Sequence, residues 1–249
     1  MPNMARKILQ IRKLLQALSN SLWRKALRHG VVPSVEHTKV LQGLPEIKCV
    51  VDVGANRGQF ALLARKFWPN AILFSFEPLS EPVELFRKIF YGDGRAHIYL
   101  NAIGTAKGNM LMHVSKADDS SSLLPITDLQ AEIFPGTEER EQREVRVLPL
   151  GAVLTSAQIE KPALLKIDVQ GSELNAINGS QTLIQCFEYL YVECSFMELY
   201  EGQATVNQVF LTILKEGFSL ISIHNLTHDK FGRAIQADFL FKRGTDGRQ

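Results

Sequence analysis

The sequence predicts an open α/β fold, in which a mostly parallel sheet is flanked by helices and finished by an antiparallel hairpin. Three observations lead there. From residue 48 onward, short apolar runs alternate with amphipathic segments of about ten residues, the spacing of right-handed β–α–β crossovers. The first run leads into Gly54-Ala55-Asn56-Arg57-Gly58, a glycine loop that opens a helix. The last two runs, Phe218–His224 and Asp238–Lys242, are joined by a turn-rich segment with no helix between them, as a hairpin requires.

Each element has its own justification. Over residues 5–29, Ile8, Ile11, Leu15, Leu18 and Leu22 recur at helical steps, with Arg6, Lys13, Arg24 and Arg28 roughly opposite, until Gly30 and Pro33 end the pattern. Cys49–Val53 reads as a buried strand interrupted only by Asp52, and Gln59–Phe67 as a helix ended by Pro69. Ala71–Phe76 is a second strand, Glu81–Phe90 a second helix and His97–Leu100 a third strand. Residues 101–148 break the rhythm with strands at Asn109–Val114 and Glu144–Leu148 around the serine run Ser120–Ser122. An insertion of this kind is expected to be a lid, a substrate loop or decoration. Strand Ala163–Val169, helix Ser172–Leu183, strand Glu188–Cys194 and helix Val206–Glu216 then restore the alternation. The expected organisation is a basic helical arm over residues 1–45 and one domain over 46–249, with the sheet layout of the class I, Rossmann-like methyltransferases.

Composition narrows the setting. At 249 residues, 45% hydrophobic and 22% charged, the chain has the make-up of a globular protein with ample core. Its net charge of +2 hides an asymmetry: residues 1–35 hold seven Lys or Arg and no acid, leaving 21 basic against 26 acidic residues elsewhere. Such an arm suits an anionic membrane surface, the domain itself or a second subunit, and nucleic acid is not an expected partner. The three cysteines, Cys49, Cys186 and Cys194, have no CxxC spacing, and no stretch approaches the roughly 18 apolar residues of a membrane span. The expected location is the cytoplasm, with the arm reaching toward the inner face of the membrane.

Two signals define a nucleoside site. Gly54 allows a tight turn and Gly58 allows a ligand to approach the helix start. Asp52, an unusual guest in an apolar strand, is placed to accept hydrogen bonds from a ligand ammonium or from backbone amides. Glu77 ends the second strand 23 residues after Gly54, where a carboxylate can take both hydroxyls of a ribose. A dinucleotide site wants G-x-G-x-x-G, but Asn56 stands at the middle glycine and Asp52 would repel a diphosphate. Both facts favour S-adenosylmethionine, a phosphate-free cofactor with a positive centre, over a nicotinamide cofactor. A dehydrogenase and a non-catalytic scaffold remain as rival readings.

A third signal is Leu165-Lys166-Ile167-Asp168-Val169-Gln170-Gly171-Ser172-Glu173. Lys166 and Asp168 share a face, and a buried lysine needs a partner, for which Glu193 on the next strand is the candidate. Lys166, Asp168 and Glu193 are therefore the expected reaction centre, supplying a base for a substrate hydroxyl, with a structural ion-pair network as the alternative. His224 and His228 lie where a strand runs into a turn, so no metal site is expected. Ser120–Ser122 suits either a polar acceptor or a loop tip, and Trp23 and Trp68 suit packing.

With these residues in view, the chain resembles the FkbM family of S-adenosylmethionine-dependent methyltransferases. The matching stretches are VDVGANRG at 51–58, FEP at 76–78, NAIG at 101–104, SSSL at 120–123, LLKIDVQGSE at 164–173 and VECSF at 192–196, in that order. The resemblance implies a seven-stranded sheet and methyl transfer to a hydroxyl oxygen of a carbohydrate, glycolipid or secondary metabolite. It implies that Gly54, Asn56 and Gly58 line the methionine part of the cofactor and that Glu77 holds its ribose. Asn101 and Ala102 would lie near the adenine and Asp168 by the methyl group.

Overall fold

The computed structural model describes residues 20–244. The strands are β1 (Cys49–Val53), β2 (Ile72–Glu77), β3 (Ala96–Leu100), β4 (Ala102–Ile103), β5 (Gly108–Ser115), β6 (Glu139–Leu148), β7 (Ala163–Ile167), β8 (Tyr189–Ser195), β9 (Phe218–His228) and β10 (Ala234–Arg243). Seven of them form the main sheet in the order β3-β2-β1-β7-β8-β10-β9, in which β10 runs antiparallel to both neighbours. This is the class I methyltransferase fold expected from the sequence. The order reverses between β1 and β7, so the chain leaves a crevice at their carboxyl ends, where open α/β sheets bind ligands.

The helices are α1 (Ser21–Arg28), α2 (Thr38–Gln42), α3 (Gln59–Phe67), α4 (Ser80–Ile89), α5 (Asp128–Ile133), α6 (Glu173–Gly179), α7 (Gln181–Ile184) and α8 (Val206–Lys215). They cover the sheet on two faces, each with its own core. Val51, Val53, Phe74, Phe76, Leu165 and Ile167 face α6 and α8, while Val50, Leu73, Leu164, Tyr191 and Leu240 face α3, α4 and the N-terminal segment. α1 begins at Asn20, whose side chain accepts from the amides of Leu22 and Trp23. Its Trp23 and Ala26 are fully buried, and the Trp23 indole donates to the Leu62 carbonyl at 2.9 Å. Of the helix expected over residues 5–29, the part from residue 20 thus packs on the domain; the rest lies outside the described residues. No helix among the described residues is long and apolar enough to cross a membrane.

The structure departs from the sequence reading in three places. The insertion is a small sheet of its own, ordered β4-β6-β5, buried against Leu79 and Leu123. The helix expected over 172–183 breaks into α6 and α7 at Ser180, which ends the one and begins the other, just after Gly179, where an added Cβ would stand 2.3 Å from the Gly104 carbonyl oxygen. The closing hairpin is longer than expected at both inner ends, because β9 is largely exposed and its polar residues hide the strand period.

Candidate active site

The site begins where the pleat of one sheet face turns from apolar to charged. Alternation carries the row Val50, Leu164, Tyr191 and Leu240 one step further to Asp52, Lys166, Glu193 and Asp238. Asp52 lies beside Lys166 in register, and Glu193 opposes Asp238. Lys166 Nζ stands 3.2 Å from Asp52 and 3.4 Å from Asp168, and 3.3 Å from the Gly54 carbonyl. Burial opposes the lysine charge, but the two carboxylates outweigh it and push its pKa up. Asp52 is 1% exposed, and burial raises its pKa against the pull of Lys166.

Two expectations change here. The partner of Lys166 is Asp52 with Asp168, not Glu193. The reason is register: Lys166 pairs with Tyr191 across β7 and β8, which carries Glu193 past it. Asp52 is buried beneath Lys166 and does not line the cleft above, so its cationic partner is that lysine and not a ligand ammonium.

The glycine loop forms the first cleft. Gly54 has φ +81, and a Cβ there would stand 1.7 Å from the Asp168 carbonyl oxygen, so no other residue fits between β1 and β7. The amides of Gly54 and Ala55 donate to the Phe76 carbonyl, and that of Asn56 to Glu77 Oε2 at 2.9 Å. Glu77 Oε1 accepts from the Leu79 amide at 2.9 Å, so the loop and the end of β2 grip one carboxylate. Burial pushes its pKa up to about 7 despite these two amides. Asn56 sits at φ 47 with its Oδ1 buried and unpartnered. The cleft has a cavity volume of about 300 Å³, at the lower end of ligand pockets. Gly54, Asn56, Glu77 and Ala102 line it with Lys166 and Asp168, and Leu79, Ile103, Met112 and Leu123 give it an apolar wall.

Two residues assigned to this cleft lie elsewhere. Gly58 is a glycine because its φ is +85 and a Cβ would meet the Phe86 ring at 2.6 Å; it packs on α4 and does not touch the cavity. Asn101 spends its Nδ2 on the Ala102 carbonyl at 2.9 Å and faces a separate depression beside Tyr99 and Arg146.

A second cleft of about 460 Å³ adjoins the first and shares Glu36, His37, Asp119, Asp168 and Gln170 with it. Gln170, in the left-handed region at φ 53, is its hub. Its Nε2 donates to Asp168 at 2.8 Å and to Glu193 at 2.9 Å, while its Oε1 accepts from the Tyr200 hydroxyl at 2.9 Å. Ser122 Oγ donates to the Gln170 carbonyl and is fully buried, so the serine run is a brace for the second cleft and not a loop tip. Glu193 also accepts from Gln236 at 2.9 Å; burial, then Asp168, Asp238 and Glu173, raise its pKa well above the ordinary carboxylate value. Glu173 fixes the turn after β7 by accepting from the Gly171 amide at 2.9 Å. Gln130 Oε1 is buried against this cleft without a partner. Among the described residues, no Lys or Arg lines the second cleft, which holds five acidic side chains.

Sequence reasoning missed His37, Gln170, Gln236 and Asp238. Asp238 carries the signal that exposed Asp52, an isolated acid in an apolar strand. His37 carries none, since it follows a turn-like stretch in the segment read as an arm.

The profile of the methyltransferase FkbM domain matches residues 52–220. A 2-O-methyltransferase, NoeI, of Sinorhizobium fredii (strain NBRC 101917 / NGR234) is 26% identical over 204 residues, covering 78% of each chain. Methyltransferase 1 of Beauveria bassiana (strain ARSEF 2860) is 25% identical over 150 residues, 54% of this chain and 59% of that one. Among solved structures, the precorrin-6y C5,15-methyltransferase of Geobacter metallireducens GS-15 aligns with a TM-score of 0.47 at 8% identity, covering 84% of this chain and 87% of that one.

Proposed function

The chain belongs to the FkbM methyltransferase family, and from that premise we propose that it moves the methyl group of S-adenosylmethionine onto a hydroxyl oxygen of an uncharged or amine-bearing carbohydrate. The observation that carries this reading is the pair of contiguous clefts meeting at Asp168 and Gln170, one built on the glycine loop and the other acidic and rich in amides.

The donor set of the first cleft fits the cofactor. Glu77, anchored by two amides, keeps lone pairs for a ribose diol. The unpartnered Asn56 Oδ1 suits an ammonium and Lys166 a carboxylate, the two ends of a methionine moiety. Ala102, Ile103, Leu79 and Leu123 offer an adenine an apolar slot. When bound, S-adenosylmethionine supplies an electrophilic methyl carbon on a sulfonium. A nicotinamide cofactor fits less well, since the loop has Asn56 where a diphosphate needs glycine and Asp52 lies beneath.

The second cleft supports the acceptor class. Its carboxylates and the bare Gln130 Oε1 are acceptors that call for donors, which sugar hydroxyls and amines provide and phosphates do not. Asp168 and Glu193 are placed to orient the reacting hydroxyl, and Lys166 keeps Asp168 in position. Most of the acceleration would come from alignment of two bound reactants, worth about 7–11 kcal/mol of barrier in well-oriented systems. The 2-O-methyltransferase relative supports oxygen as the acceptor atom.

The test is transfer of labelled methyl from S-adenosylmethionine to a panel of neutral sugars, amino sugars, uronic acids and sugar phosphates. Label should appear on the first two groups. Transfer confined to the anionic members would overturn the acceptor class, and absence of S-adenosylmethionine binding by calorimetry would overturn the cofactor.

A further inference from the structure

We propose that His37, supplied by the N-terminal segment, is the catalytic base that takes the proton of the acceptor hydroxyl. The inference rests on the acceptor reading of the second cleft, and it differs from it in naming a residue that lies outside the 52–220 match.

His37 ends a short 3-10 turn, Val35–His37, and its ring lines both clefts where they meet. The ring is held edge-on between Phe60 at 5.6 Å and Tyr191 at 5.5 Å. Its Nδ1 lies 2.9 Å from the Tyr191 hydroxyl, 3.3 Å from Asn225 Nδ2 and 3.4 Å from Asp238 Oδ2. The Tyr191 hydroxyl donates to Asp238 Oδ2 at 2.9 Å and Asn225 Nδ2 to the same oxygen at 2.6 Å.

Two acceptors beside Nδ1, the Tyr191 hydroxyl and Asp238 Oδ2, favour the Nδ1–H tautomer over the one that would accept from Asn225. A hydroxyl has one proton, and that of Tyr191 is committed to Asp238. The 2.9 Å contact with His37 then needs a proton on Nδ1, which makes His37 the donor. Nε2 is then the ring nitrogen that keeps a lone pair, on a residue that lines both clefts. Asp238 is the positioning residue behind this arrangement: burial opposes its charge, but His37, Asn225 and Tyr191 outweigh it and hold its pKa below the ordinary value. A buried carboxylate that orients an imidazole and stabilises the imidazolium is the logic of a base with an orienting partner.

The step balances. His37 Nε2 takes the hydroxyl proton as the acceptor oxygen forms its bond to the methyl carbon. The carbon–sulfur bond breaks with its electron pair going to sulfur, which becomes a neutral thioether, and the imidazolium then returns its proton to solvent. Asp168, held by Gln170 and Lys166, and Glu193, held by Gln170 and Gln236, keep lone pairs that orient the hydroxyl.

The charged and titratable groups facing His37 are Asp238 on β10, Tyr191 on β8 and His224 on β9, with Asp52 on β1, Lys166 and Asp168 at β7, and Glu36 and Asp119 at the cleft border. The test compares parent, His37→Gln and Asp238→Asn enzymes in kcat with an uncharged sugar acceptor. Nitrogen-15 spectra of the histidines and calorimetric titration with S-adenosylmethionine accompany it. His37→Gln should still bind S-adenosylmethionine but lose about 100- to 10,000-fold in kcat. The parent spectra should show the Nδ1–H tautomer. Asp238→Asn should lose less in kcat, because it keeps the imidazole, and its spectra should show the Nδ1–H tautomer less populated than in the parent, a change that a merely structural carboxylate would not produce. A parent-like kcat in His37→Gln, or an Nε2–H tautomer in the parent, overturns the base alone. A parent enzyme that binds the cofactor but methylates no hydroxyl overturns the acceptor reading, and the base with it.

Discussion

The two clefts meet at the same residues yet are made differently. The first is a backbone structure: the loop after β1 hands three amides to the end of β2, and two oxygens of Glu77 take the amides of Asn56 and Leu79. Its loop and its carboxylate lie within residues 53–79, and residues 32–34, Glu36, His37, Ala102, Ile103, Met112, Leu123 and the end of β7 close it. The second is a side-chain structure, in which Gln170 joins Asp168 to Glu193 while His37, Asn225 and Gln236 arrive from opposite ends of the chain. Backbone contacts of the first kind tolerate almost no change, as the 1.7 Å approach at Gly54 shows. On the proposed reading, contacts of the second kind, made by side chains alone, are where acceptor selectivity would vary.

Lys166 is where the comparison breaks most readily, because both clefts stand on it. Lys166→Met leaves Asp52 and Asp168 without their cation and should cost about 3–5 kcal/mol of stability, read by chemical denaturation. The deficit should shrink as pH falls and the stranded Asp52, already pushed up by burial, protonates. A loss under about 1 kcal/mol, within the range of a surface pair, would mean that the clefts do not share this foundation.

A smaller effect separates the clefts. Glu77→Gln should weaken S-adenosylmethionine binding roughly 10- to 100-fold, the worth of hydrogen bonds to a charged group, and leave the KM for acceptor unchanged. Glu77 has its pKa near about 7, and ribose hydroxyls donate to its ionised form. Parent affinity should therefore be full above pH 7 and fall as pH drops through it, whereas the glutamine variant should be flat. A parent affinity without this dependence would remove Glu77 from the cofactor site.

The smallest effect is expected on the acceptor side. Burial and its acidic neighbours hold Glu193 toward its neutral form, and an amide is then a close substitute. Glu193→Gln should raise the acceptor KM roughly 3- to 10-fold, the scale of one neutral hydrogen bond, with S-adenosylmethionine affinity untouched. A change in cofactor affinity of the same size would show that the clefts are not separable.

The first cleft was legible because its signals are local: a glycine loop, a strand-ending glutamate and a lysine where no lysine belongs. The sheet was legible for the same reason, since periodicity reports strands buried on both faces. What sequence spacing misjudged was depth and register. Gly58 and Asn101 sit at the right places in the chain but turn toward Phe86 and Ala102, and Glu193 is one register step from the lysine assigned to it. The second cleft was nearly silent because its members are joined by tertiary contacts alone. Gln170 was visible only as part of a motif, and nothing about a histidine after a turn says which strand will meet it.

The burial of Trp23 beneath Leu62 has a consequence for how the molecule can be divided. That anchor belongs to a segment whose next turn delivers His37 to the clefts, and Asn225 and Asp238 return from beyond residue 220. A fragment trimmed to residues 52–220 would keep Gly54, Glu77 and Asp168 but lose one wall of the acceptor side. On the proposed reading, exchanging the segment beyond residue 220 between relatives would alter the acceptor side while leaving the first cleft in place, whereas exchanging the N-terminal segment would touch both clefts.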